Sequence, residues 1–123
     1  MGGCDRVNNL VLAYLGDAVY ELYIREFLIN KGFAKVKDLQ NESLNYISAV
    51  SQRRILETLE NKNLFTNEEK EIINRGRNMS SHKSKSTDII TYKKATGFEC
   101  LIGYLYLNDK NRLEEIMKEV VMI

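Results

Sequence analysis

The sequence predicts an all-α domain, and three observations carry that prediction. Its 123 residues contain no proline, the residue that most reliably breaks a helix interior. Apolar residues recur at three- and four-residue intervals through several stretches, the repeat of one helix face. Those stretches open at Asn or Thr and close at glycine or polar turns, as helices do.

The length fits one domain able to bury a modest core, and no shift of composition marks a second. The formal charge of +1 favours neither nucleic acid nor a membrane as partner, so the distribution of charge is more informative than its sum. Cys4 and Cys100 are the only cysteines; they make neither a disulfide framework nor a zinc set, which points to a reducing compartment. Met1–Cys4 read in part as an expression remnant. Arg6 stands where the myristoylation pattern requires Ser or Thr. Seven tyrosines and a very apolar leading helix make a homodimer a candidate.

Residues 1–8 form a polar lead in which Asn8 or Asn9 can cap the first helix. That helix runs to about Asn30 and stops at Lys31-Gly32, a cation near the carbonyl end with glycine beyond. Within it, Leu10 to Arg25 is almost continuously apolar or aromatic, interrupted only by Asp17 and Glu21, so it is no membrane span. The four-residue spacing puts both acids on one face of a helix whose other faces call for cover. A covered Asp17 needs a basic partner, a metal or a wet cleft. Gly16 costs roughly 0.8–1 kcal/mol relative to alanine in a helix interior, a cost that close approach by another backbone or a ligand would offset. Two readings stay open: Asp17 pairs with an arginine beside a tight helix crossing, or it is catalytic and metal-binding. A third is that the helix frays here.

Phe33 to Gln40 reads as a connector or short helical turn. Asn41 opens a second long helix to about Leu59, with Leu44, Ile47, Val50 or Ser51, and Ile55 at helical intervals. Its opposite face carries Gln52, Arg53 and Arg54, and for the arginines solvent exposure and phosphate contact are both open. Thr66 and Glu69 form a capping box, and the glutamates that follow suit the positive end of the helix dipole. Arg75 to Lys94 holds six lysines and arginines against the single acid Asp88, a local charge of +5. Its serine-rich middle, about Asn78 to Ser86, reads as an exposed loop that either contacts phosphates or is merely soluble. His82 has no Cys, Glu or His at metal spacing.

Thr91 or Tyr92 opens a further apolar helix whose one acid is Glu99, flanked four residues away by Ala95 and Gly103. This repeats the pattern around Asp17. Two apolar helices, each with a carboxylate near a glycine, are suited to crossing closely with both acids at one site. Asn111 and Glu114 can form a last capping box for a closing amphipathic helix.

Hard oxygen ligands from Asp17 and Glu99, with Glu21 as a further candidate, suit Mg²⁺ or Mn²⁺ completed by water and substrate phosphate. A basic loop nearby would hold a polyanion. Together these point to metal-assisted phosphodiester hydrolysis. Paired acids also serve glycoside hydrolysis, but that chemistry leaves the basic segment without a task.

The run LAYLGDAVYELYIR (Leu12 to Arg25), RGRN (Arg75 to Asn78) and FECLIGYLYL (Phe98 to Leu107) together resemble the catalytic domain of ribonuclease III. The resemblance is greatest to the bacterial Mini-III branch, which consists of that domain alone, and it spans about Asn9 to Val120. It implies residues 9–123 as one ribonuclease III-like catalytic domain, with no separate double-stranded RNA-binding domain. It further implies an all-α homodimer that cleaves double-stranded RNA with Mg²⁺, Mn²⁺ substituting, and leaves 5′-phosphate and 3′-hydroxyl ends. For Mini-III it implies maturation of the large-subunit ribosomal RNA precursor in the bacterial cytoplasm, with a ribosomal protein as a candidate assistant. Asp17 falls on the aspartate of the family's signature helix and Glu99 on the glutamate of its later catalytic helix. Where longer members place two more acids, this chain has Ala13 and Thr96, so its acidic set is smaller. Glu21 matches no family ligand and would orient a water or pair with a basic residue. RNA contact falls to the dimer surface and to Arg75, Arg77, Lys83, Lys85, Lys93 and Lys94. The rival reading is an inactive helical RNA-binding dimer that keeps the carboxylates for folding or for regulatory metal binding.

Overall fold

The computed structural model describes residues 8–79 and 88–123. Among these are six helices and no strand: α1 Asn9–Asn30, α2 Val36–Ile47, α3 Ala49–Asn61, α4 Asn67–Met79, α5 Ile89–Asn108 and α6 Lys110–Val121.

The bounds of α1 follow its local chemistry. Asn8 Oδ1 accepts from the Leu10 backbone N–H at 2.7 Å, and beyond the last turn Gly32 takes a φ of 105°, a conformation open mainly to glycine. The next element departs from expectation. What reads as one long helix from Asn41 is two: α2 begins at Val36, taking in most of the supposed connector, and ends at Ile47. The break is at Ser48, whose backbone is extended and whose hydroxyl accepts from the Ser51 N–H at 3.1 Å. The capping bond competes successfully with continuation of the helix.

The capping box of α4 is present: Thr66 Oγ1 accepts from Glu69 N–H at 3.1 Å and Glu69 Oε1 accepts from Thr66 N–H at 3.0 Å. Helix α4 continues through Met79, so Asn78 is helical rather than part of the expected loop. The remainder of that loop, with His82, Lys83 and Lys85, lies outside the described residues. Helix α5 opens at Ile89 rather than Thr91, because Asp88 Oδ1 accepts from Thr91 N–H at 2.8 Å. Similarly α6 is capped by Asp109, which accepts from Arg112 N–H at 3.1 Å; Glu114 instead accepts from the Tyr23 hydroxyl.

Helix α5 is central, packed against α1, α3, α4 and α6. Phe98, Leu101 and Ile102 are wholly buried there beside Tyr20 and Ile24 of α1, Leu56 and Leu59 of α3, and Leu113 and Ile116 of α6. That encirclement explains why α5 is apolar on nearly every face. Its contact with α1 is backbone to backbone. A Cβ on Gly16 would stand 1.8 Å from the Glu99 carbonyl oxygen, and one on Gly103 would stand 2.0 Å from that of Leu12. The reciprocal pair of glycines lets the two helices cross closer than side chains allow. Among the described residues no helix is long and apolar enough to cross a membrane.

Candidate active site

The glycine crossing brings together the two acids singled out in the sequence. Asp17 follows Gly16 on α1, and Glu99 is the residue whose carbonyl Gly16 approaches on α5. Their carboxyl groups are close enough for the charge of Asp17 to act on Glu99. A neighbouring negative charge disfavours ionisation of a carboxyl, as does burial. Burial first, then the charge of Asp17, push the Glu99 carboxyl up to about 8, and the amide of Gln52 opposes them.

Several residues stand elsewhere than expected. Asp17 is exposed rather than covered, and its partner is another acid, not an arginine. Glu21 forms an ion pair with Arg25, one turn on. Arg53 is half-buried, bonded to Thr91 Oγ1 at 2.9 Å and to Glu57 Oε2 at 3.2 Å. Arg54 is exposed and donates to Asn45 O at 2.9 Å. Lys94 is also engaged: its ammonium group pairs with Glu57 across α3 and α5. Arg75, Arg77 and Lys93 form no ion pair among the described residues. Ala13 and Thr96, the positions lacking the additional acids, are both buried at 6% exposure. The Thr96 hydroxyl turns back to Tyr92 O at 2.9 Å, so neither side chain offers an anionic oxygen.

Sequence reasoning missed Gln52. It is 1% exposed, and its Nε2 donates to Glu99 Oε2 at 3.2 Å and to Ile47 O at 3.3 Å. A signal was present: residues 52, 55, 56 and 59 are all buried on α3, so Gln52 heads the buried stripe rather than the solvent face.

The donor set fits a hard divalent cation. It consists of two carboxyl groups pressed together and, beside them, the buried Gln52, whose Oε1 lacks a hydrogen-bond partner. A cation would relieve the repulsion between the two carboxylates. Among the described residues no group of three or more His, Cys, Asp or Glu could hold a metal, so two protein carboxylates would leave several positions to water and phosphate, the habit of Mg²⁺.

A profile of the ribonuclease III domain matches residues 10–110. A Mini-ribonuclease 3 of Streptococcus pneumoniae is 42% identical over 113 residues, covering 90% of this chain and 88% of that protein. One of Staphylococcus aureus is 43% identical over 119 residues, covering 95% and 89%. A crystal structure of a Fusobacterium nucleatum protein superimposes with a TM-score of 0.83 at 29% identity, covering 94% of each chain. The chain therefore belongs to the ribonuclease III domain family, whose activity class is endoribonucleolytic. Within that family the similarity is to its Mini-ribonuclease 3 members.

Proposed function

We propose that the chain is a Mg²⁺-dependent endoribonuclease hydrolysing double-stranded RNA, with Asp17 and Glu99 as its catalytic, metal-holding carboxylates. The observation that carries this reading is the approach of the two acids across the Gly16–Gly103 crossing. The bound cation, with Mn²⁺ as a substitute, would neutralise phosphate charge and ease ionisation of the attacking water. Hydrolysis adds that water across the P–O3′ bond: its oxygen stays on the 5′-phosphate, and the departing 3′ oxygen takes up a proton.

The chain's residues divide the remaining work. Asp17, exposed on α1, is open to solvent, while Glu99 is half-buried on α5; the two would supply the protein's oxygen ligands to the cation. Arg75, Arg77 and Lys93 are the described cations available for phosphate contact, joined by Lys83 and Lys85; Lys94 is already committed to Glu57. A homodimer is supported by the apolar patch on the exposed side of α1. Leu10, Val11 and Tyr14 are 41%, 54% and 83% exposed, within two turns of Asp17. Burying such a patch against a second copy would set two sites on one surface, as cutting both strands of a duplex requires. The similarity to Mini-ribonuclease 3 proteins supports the large-subunit ribosomal RNA precursor as substrate and a cytoplasmic setting, with a ribosomal protein as a candidate assistant.

The test is cleavage of a labelled RNA duplex in Mg²⁺ by the wild type, Asp17→Asn and Glu99→Gln, with folding and RNA binding followed in parallel. Metal-dependent cuts in both strands should fall by at least about a thousandfold in either variant, roughly 4 kcal/mol of transition-state stabilisation, while binding survives. Wild-type binding without cleavage, on duplexes and on structured ribosomal precursor alike, would instead make the chain an inactive RNA-binding dimer.

A further inference from the structure

Gln52 is the buried polar group that the two acids do not by themselves explain. Its amide nitrogen touches two acceptors, one of which is the backbone carbonyl of Ile47. A carbonyl oxygen only accepts, so that contact fixes which end of the amide carries the nitrogen. A donor therefore meets Glu99 Oε2. The other end, Oε1, is buried without a hydrogen-bond partner among the described residues, which carries a desolvation cost. Leucine or methionine at the head of the buried stripe would avoid that cost, so packing does not account for the glutamine.

The corner between α2 and α3 is built to supply the acceptor. In an unbroken helix the Ser51 N–H would donate to Ile47 O. Here it donates to Ser48 Oγ at 3.1 Å, and Ile47 O is left to Gln52 Nε2 at 3.3 Å. The cap that breaks the helix thus frees the carbonyl that anchors the amide, and the amide reaches the acid. Among the described residues, the Gln52 amide is the neutral donor that meets the Glu99 carboxyl.

We propose that Gln52 is a positioning residue of the site: it ties Glu99 Oε2 to the Ser48 corner, holding the carboxylate in the one orientation from which it and Asp17 hold a divalent cation together. This rests on the reading of Asp17 and Glu99 as the metal-holding pair. Hydrogen-bond partners of metal-ligating carboxylates commonly govern metal affinity by 10- to 100-fold on mutation.

The experiment measures Mn²⁺ dissociation constants, by the electron paramagnetic resonance of free Mn²⁺, on the full chain without RNA. Wild type, Asp17→Asn, Glu99→Gln and Gln52→Met are compared at matched folded fraction. Gln52→Met keeps the side-chain volume and removes the donor, so Mn²⁺ affinity should weaken about 10- to 100-fold, and the two acid variants should lose specific binding. A merely structural glutamine would alter stability and leave the affinity of the folded protein unchanged. Loss of Mn²⁺ in the acid variants with wild-type affinity in Gln52→Met overturns the role of Gln52 alone. Wild-type affinity in the acid variants overturns the metal reading and the positioning role with it. Should Gln52→Met not fold, the unaltered protein decides: the Gln52 side-chain amide resonances should shift on saturation with Mg²⁺, and unchanged resonances overturn the proposal.

Discussion

Gly16 and Glu99 are in backbone contact, so close that a methyl group on the glycine would stand 1.8 Å from the Glu99 carbonyl oxygen. No rotamer change relieves that overlap, because both partners are main chain. Gly16→Ala must therefore push α1 away from α5 and with it separate Asp17 from Glu99. Overpacking of this kind costs about 1–3 kcal/mol or more, here roughly 3–10 °C of melting temperature for a domain of this size. Thermal denaturation and duplex cleavage should both register the change. Wild-type activity in Gly16→Ala would show that the crossing does not set the site.

Stability should fall with pH in metal-free protein. The folded-state pKa of Glu99 is about 8, raised above its ordinary value of 4.5, so between these values the folded state binds more protons than the unfolded. The contribution is therefore fully present below about 4.5 and lost as pH rises through about 8. Urea denaturation in chelator at pH 5 and pH 8 should show this slope, and Glu99→Gln should flatten it.

Arg112 clamps Glu69 from two sides, Nε to Oε2 at 2.8 Å and Nη2 to Oε1 at 2.9 Å, while Nη2 also reaches Leu64 O at 2.7 Å. Burial raises the Glu69 pKa, but the Arg112 bonds and the Thr66 backbone outweigh it, and the net shift is downward. Arg112→Met strands a buried acid and should cost about 3 kcal/mol. Adding Glu69→Gln should return part of that loss in chemical denaturation. Simple additivity of the two changes would mean the clamp is not a coupled pair.

Basic residues should differ in their effect on RNA binding. Arg75→Gln and Lys93→Gln remove cations that have no ion pair among the described residues, and each should lower the salt slope of duplex binding by about one counterion. Lys83→Gln with Lys85→Gln should act likewise on the strength of their charge. Lys94→Gln removes a cation already paired with Glu57 and should leave the slope nearly unchanged. A slope insensitive to all of these would remove the segment from the RNA contact.

Tyr14 is 83% exposed on the apolar patch of α1. If that patch joins two copies, Tyr14→Asp should convert dimer to monomer in sedimentation equilibrium with its helix content retained. An unchanged mass would place any dimer contact elsewhere.

What is local in this fold is legible along the chain. Asn8, the Thr66–Glu69 box and Gly32 act within three or four residues, so the bounds of α1 and the start of α4 were legible from side-chain chemistry alone. The two carboxylate-and-glycine helices also announced a close crossing, because each pattern is a property of one helix face. Where two local outcomes compete, periodicity does not choose between them: Ser48 could continue a helix or cap the next, and Asp88 and Asp109 cap in place of the residues downstream of them. Which side chains meet at the candidate site depends instead on contacts between distant segments. Asp17 and Glu99 are 82 positions apart, and their approach depends on a crossing that needs glycine on both helices at one height. Gln52 gained its place from a carbonyl released at a helix break, and Lys94 lost its freedom to an acid on another helix. Such partnerships between distant segments are set by how faces pack, which periodicity along the chain does not encode.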